Sequence, residues 1–334
     1  MTSSGGGPVA GDHDATAPQE PPEAVTARDA ETLPSVSVVV PAFRHPERLR
    51  TCLEALARQD LPRDRLEVVV VDDGSPQPLA PTASDFETRL DVRVLRQANA
   101  GPASARNAGA AAASGDLLAF TDDDCEPLPT WARTLAAAHA RCPEALLGGD
   151  VVNALPGQLF AETSQLLVSY LYDWYGQRRG GSFFASNNLA VPRAGFAEVG
   201  GFDTGFPTPG GEDRELCERW AGDGRPLLRV REALVRHSHR MGLRGFVRQH
   251  VTYGRGAWDA HRRRLARTGR SLDVEPASFY LGMLTCPFRH APPARAAAMS
   301  SALVLSQAAG AAGYALARRD HRRHAEDPTR TRHG

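Results

Sequence analysis

The sequence predicts an α/β fold, a Rossmann-like sheet in α/β/α layers, followed by a mostly helical, basic C-terminal region. Three observations carry this. Valine-rich apolar runs alternate with amphipathic or alanine-rich stretches across residues 36–121. Three apolar runs stop abruptly, at Pro41, at Asp72 and Asp73, and at Asp122, Asp123 and Asp124. From Arg236 to the end, 18 Arg face 6 acids, a surplus of +12 in a chain of formal net charge zero, so the rest stands at −12.

The elements follow in order. Residues 1–33 are rich in Gly, Pro, Ala and acids and contain no apolar run, so a disordered lead is expected, without the features of a signal peptide. "VSVVV" at 36–40 is a buried strand, ended by Pro41. "PERLRTCLEALARQ" sets Leu49, Cys52, Leu53 and Leu56 at helical spacing, with Pro46 near the start. "LEVVVV" at 66–71 is a second strand, stopped by "DDGS", and "VRVL" at 92–95 a third. "GPASARNAGAAAASGD" is an Ala-rich helix closed by Gly115, and "LLAFT" at 117–121 is the next strand. Strands alternating with helices make a parallel sheet with crossover connections, whose ligand sits at the carboxyl ends of the strands. The three acid- or proline-bearing loops lie at those ends, so one site built from three loops is expected. No GxGxxG follows the first strand, which argues against a dinucleotide fold. The expected divisions are 34–150, 151–240 and a helical, Arg-rich 241–334.

Composition removes several chemistries. All 39 basic residues are arginine, which excludes Schiff-base lysines and lysine-dependent phosphate loops. The five cysteines show no CxxC spacing, so neither a disulfide framework nor a zinc site is expected, and a reduced, cytoplasmic setting fits.

Four segments carry candidate chemistry. Asp122, Asp123 and Asp124 at a strand end offer hard oxygen ligands to Mg²⁺ or Mn²⁺; they equally suit a solvated acidic loop or a helix cap before Trp131. The acids of "VVVVDDGS" can accept hydrogen bonds from a base edge or ribose, and Asp-Gly-Ser is also ordinary turn chemistry. "GGEDRELCERW" delivers Glu212 and Asp213 to a helix start, where a carboxylate can deprotonate a hydroxyl or simply favour the helix dipole. In "VRHSHR", His237 and His239 can ligate a metal or be plain surface histidines.

Taken in succession, "PAF", "DDGS", "NAGPASARNAG", "TDDDCEPLPTW", "GGFD", "GGEDREL", the histidine pair and "VTYGRGA" resemble the family 2 glycosyltransferases, inverting enzymes of the GT-A fold, over about residues 36–256. The resemblance implies donor-binding positions at Pro41, Asp73, Asn99, Arg106, Asp122 and Asp123. It implies metal ligands at Asp122, Asp124 and His237, with His239 the lesser of the pair. Asp213 matches the base that deprotonates the acceptor. The implied reaction moves a sugar from a nucleotide-diphosphate sugar, UDP-linked as the first expectation, to a glycan, lipid-linked or small-molecule hydroxyl, with Mn²⁺ or Mg²⁺ as cofactor. The Gln-x-x-Arg-Trp motif of processive relatives is missing, so one sugar or few per encounter is expected. A nucleotidyltransferase and a degenerate binding module are the competing readings. The first lacks its Gly-rich loop here, and the intact acids argue against the second. No nucleic-acid motif accompanies the arginines.

Residues 296–317 are 22 residues without a formal charge, flanked by arginines. The length suits a bilayer span, but the Ala, Gly and Ser content suits a packed helix or an interfacial one. Cytoplasmic catalysis, with peripheral contact at the inner face of the plasma membrane through the Arg-rich region, is the resulting expectation.

Overall fold

The computed structural model describes residues 32–176, 183–206, 210–269, 271 and 274–326. The expected disordered lead lies outside them, apart from its last two residues. Leu33, one of these, is buried at the edge of the core.

Eight strands form one mixed sheet: β1 (Val36–Ala42), β2 (Leu66–Asp72), β3 (Asp91–Arg96), β4 (Leu117–Phe120), β5 (Cys125–Pro127), β6 (Leu146–Asn153), β7 (Leu189–Pro192) and β8 (Leu227–His237). Their order across the sheet is β3-β2-β1-β4-β7-β6-β8-β5. The first four run parallel, as the alternation of strands and helices requires. β7 then inserts antiparallel between β4 and β6. The sequence division at 150/151 falls inside β6, so both halves share this sheet.

The valine runs explain the layering. In β1, Val36, Val38 and Val40 enter one core with Leu49, Leu53, Phe86 and Trp131, while Val39 enters the other with Phe120, Phe202 and Trp220. Every one of these side chains is at most 1 % exposed, each worth roughly 1.5–3 kcal/mol of apolar burial. Helices α1 (Pro46–Leu56) and α4 (Trp131–Arg141) cover the first face. α3 (Pro102–Ala112) and α7 (Glu212–Gly222) cover the second. α2 (Ala80–Ser84) and α6 (Arg193–Glu198) are short connectors.

The C-terminal region is helical as expected. α8 (Leu243–Thr268) and α10 (Pro293–Glu326) pack against each other, and α10 also contacts α5 (Leu159–Gly176) and α9 (Ala277–Thr285). The α8–α10 crossing is tight because side chains are missing: a Cβ on Gly254 would sit 2.0 Å from the Gly310 carbonyl, and one on Gly313 2.0 Å from that of Val251. Residues 296–317 therefore belong to a packed helix. Among the described residues no helix is long and apolar enough to cross a membrane.

Candidate functional site

The carboxyl ends of β1, β2 and β4 open into a cleft of about 760 Å³. Pro41, Asp73, Asn99, Arg106, Asp122, Asp123, Asp124, Asp213 and His237 all line it, so one cleft gathers these candidates, while Asp72 and His239 are not part of its lining.

On the β2 side, the two aspartates divide their work. Asp72 is buried and holds its own turn, accepting from the Ser75 amide at 2.9 Å and the Leu79 amide at 3.2 Å. Asp73 clasps the loop leading into α3. It accepts from Gln97 Nε2 at 2.7 Å, the Ala100 amide at 2.9 Å and the Gly101 amide at 2.9 Å. Asn99 Nδ2 donates to the Asp73 carbonyl at 2.9 Å.

The triple aspartate follows β4, and β5 and Pro127 separate it from α4, whose cap is Thr130. The helix-cap alternative therefore does not hold. The three carboxylates have three different environments. Asp122 accepts from Arg106 Nη2 at 2.7 Å. Burial and the repulsion of Asp124 and Asp122 raise the Asp123 carboxyl to about 7. Burial also works to raise Asp124, but His237 and His239, with Arg48, hold its carboxyl well below the ordinary range. Asp124 Oδ1 lies 3.2 Å from His237 Nε2, and Oδ2 lies 3.6 Å from Arg48 Nη1 and 4.0 Å from His239 Nδ1.

Strand pairing causes this meeting. β5 and β8 are antiparallel with Cys125 opposite His237, and the Ser238 amide donates to the Asp124 carbonyl at 2.9 Å. Asp124 and His237 thus present an oxygen and an imidazole nitrogen to the cleft, a donor pair that fits Mn²⁺ or Mg²⁺ when completed by further oxygen ligands. The third side chain within 4.8 Å of both is Cys125, not Asp122. Its thiol is buried, and burial with the adjacent aspartates pushes its pKa well up, so it is a poor ligand for a hard cation.

Asp213 reaches the same cleft from the first turn of α7. Gly211 adopts φ 106°, the left-handed cap from which α7 starts, and a Cβ there would meet the Gly256 carbonyl at 2.8 Å. Asp213 Oδ1 accepts from the Arg214 amide at 2.8 Å and Oδ2 from the Ser186 amide at 3.3 Å. Desolvation and the Glu212 charge nevertheless raise its pKa. Glu212 accepts from the Gly210 amide at 2.7 Å and faces Arg106 Nη1 at 3.5 Å.

Arg106 was expected at the nucleotide. It is 4 % exposed, with its two amino groups on Asp122 and Glu212 and its guanidinium 5.6 Å from the Phe202 ring. Burial acts to lower its pKa, but the two carboxylates outweigh that and raise it. It links the aspartate loop to the helix bearing Asp213. Sequence reasoning missed this link, along with Tyr253, which lines the cleft from α8 and whose hydroxyl accepts from Gln249 Nε2 at 2.6 Å. The "VTYGRGA" segment was the available signal for Tyr253. Nothing local signalled the Arg106–Glu212 contact, which joins residues 106 positions apart.

A family model described as glycosyl transferase family 2 matches residues 37–194. Validoxylamine A glucosyltransferase of Streptomyces hygroscopicus subsp. jinggangensis is 32% identical over 230 residues, covering 60% of this chain and 54% of that protein. Pre-mycofactocin glycosyltransferase of Mycobacterium tuberculosis is 33% identical over 246 residues, covering 71% of this chain and 48% of that protein. The chain thus spans about half the length of these relatives. Among solved structures, the mannosyltransferase PcManGT from Pyrobaculum calidifontis, in complex with GDP-Man and Mn²⁺, superimposes with a TM-score of 0.54 at 20% identity, covering 90% of this chain and 83% of that one. The likeness is one of fold: a GT-A-like mixed sheet with flanking helices.

Proposed function

We propose that the chain, whose residues 37–194 match a model described as glycosyl transferase family 2, is a glycosyltransferase of that family that transfers a sugar from a nucleoside-diphosphate donor to an acceptor hydroxyl, with inversion at the anomeric carbon. The observation that supports the reading is that one cleft is lined both by the Asp124–His237 pair and by Asp213. Asp124 and His237 would hold the divalent cation, which when bound offsets the charge of the departing diphosphate. Pro41, Asp73 and Asn99 receive the base and ribose end of the donor, and Asp122 and Asp123 face its ribose and sugar side. Arg106 positions Asp122 and, through Glu212, the start of α7.

Asp213 takes the proton of the acceptor hydroxyl as its oxygen attacks the anomeric carbon from the face opposite the diphosphate. A carboxylate with a raised pKa is the better base for this at neutral pH. The bond to the diphosphate breaks in the same displacement, through an oxocarbenium-like transition state. The acceptor is a glycan, a lipid-linked glycan or a small hydroxyl compound, and one sugar or few are added per encounter.

Thermal unfolding with UDP, GDP or dTDP, each with and without Mn²⁺, tests the reading. At a hundredfold excess over Kd, native-state binding adds about 2.7 kcal/mol. A rise with one nucleotide that needs metal and disappears in Asp124→Ala is expected, with UDP first. No rise with any nucleotide at millimolar concentration would overturn the assignment.

A further inference from the structure

Helix α10 has one face in the body and one outside it. Met299, Leu303 and Ser306 are buried. Ala297, Val304, Ala308, Ala311 and Ala315 are exposed at spacings of three, four and seven, which places them on a single stripe. A solvent-facing helix surface ordinarily carries charge, yet no residue between Arg295 and Arg318 is charged. Val304 is 55% and Leu316 40% exposed, and Leu281 and Phe288, on α9 and the turn after it, are 67% and 54% exposed.

The stripe continues at the same spacing into Arg319 and Arg322. Arg318 and Arg323 flank them, and all four are exposed. With Tyr314 they line a shallow hollow of about 470 Å³. Among the described residues none of the four forms an ion pair; Asp320, on the same turn, is taken by Arg255 at 3.1 Å. The face is therefore uncharged and apolar along most of its length and strongly cationic at one end, in the part of the chain that carries the surplus of +12.

We propose that this face of α10 lies flat on an anionic lipid bilayer, with Arg318, Arg319, Arg322 and Arg323 on the headgroup phosphates and Val304 and Leu316 at the acyl boundary. The charge sign selects an anionic partner. The long uncharged stretch beside the arginines selects a bilayer over a nucleic acid, whose phosphates would face only the cationic end. The helix is not apolar enough to span, so the contact is in-plane. Its alanines insert weakly, so the arginines supply most of the attraction and the binding is salt-sensitive. The proposal is independent of which sugar is moved.

The test is co-sedimentation of the full chain with vesicles of phosphatidylglycerol and phosphatidylcholine, and with phosphatidylcholine alone. Binding is expected only to the anionic vesicles, to weaken steeply with salt, and to persist in millimolar inorganic phosphate. Replacing three arginines, R319Q/R322Q/R323Q, should weaken it about 100-fold, from roughly fivefold per charge. V304S/L316S should weaken it several-fold while leaving the salt dependence unchanged. Both variants alter exposed positions, so an unchanged nucleotide-induced thermal shift verifies the fold. No binding to anionic vesicles at low salt, equal binding by the arginine variant, or full displacement by phosphate or by a short nucleic acid would each overturn the proposal.

Discussion

Asp213 carries a prediction that separates its role from its neighbours'. Among the described residues its carboxylate makes two hydrogen bonds, both to backbone amides, and neither holds another loop's side chain. Asp213→Asn should therefore abolish transfer, lowering kcat by at least 10²-fold as loss of a general base does, while the donor's Kd changes little. Titration calorimetry with the nucleotide and Mn²⁺ checks the second half; lost donor binding would assign the residue elsewhere. The pH dependence has a definite sign. The base works deprotonated, and its pKa is raised by burial and Glu212, so kcat/KM should fall with acid along a limb centred above the ordinary aspartate value of about 3.9. At this scale the sequence was readable where chemistry sits next to structure. Asp73, Asp122, Asp124 and Asp213 each follow a strand end or a Gly turn, and each reaches the cleft. Arg106 was readable as a site residue but not as a buried link, because its partners Asp122 and Glu212 belong to different elements.

Helix α8 shows what the sequence could not convey at the next scale. The region after Arg240 read as helical and basic, but the reason for its glycines lies in its neighbours. A Cβ on Gly256 would stand 1.6 Å from the Gly210 carbonyl, beside the turn that launches Asp213. Gly256→Ala should push that turn away from the cleft and lower kcat more than it raises the donor's KM, with a loss of about 1–3 kcal/mol from overpacking; steady-state kinetics and urea melts read the two effects. Six residues earlier, His250 is 5% exposed, with its ring centroid 4.4 Å from that of Phe246 and its Nε2 without a hydrogen-bond partner among the described residues. Burial lowers its pKa from 6.5 to about 4. The unfolded chain binds this proton near pH 6.5 and the folded chain only near pH 4, so His250 removes stability as pH falls between those values, up to about 3 kcal/mol. His250→Phe should flatten that part of the stability–pH curve relative to the parent, and parallel curves would show that the ring titrates normally. The first four strands and the helices α1 and α3 were legible in the sequence because each is a local pattern, whereas the short α2 between β2 and β3 was not read. The insertion of β7 between β4 and β6 was not, since antiparallel pairing across 70 residues leaves no local mark.

Across the whole molecule, the basic C-terminal region is part of the body. α10 covers Gly254 of α8 and touches α5, and α8 in turn brings Tyr253 to the cleft and Gly256 against the Gly210 turn. Removal of residues 293–334 should therefore abolish cooperative unfolding or leave the chain insoluble, as judged by calorimetry; a stable, nucleotide-binding remainder would mean the region is a separable appendage. The sheet order has a consequence in time as well as in space. Among the described residues β5 lies at the edge of the sheet, paired with β8 alone. During synthesis the aspartates after β4 leave the ribosome early, yet the strand that aligns Asp124 with its histidine arrives more than a hundred residues later. A nascent chain stalled before β8 would hold the loops after β1, β2 and β4 but lack His237 beside Asp124, so on the proposed reading catalytic competence is expected only late in translation, once β8 has slotted between β6 and β5 and α10 has closed on α8.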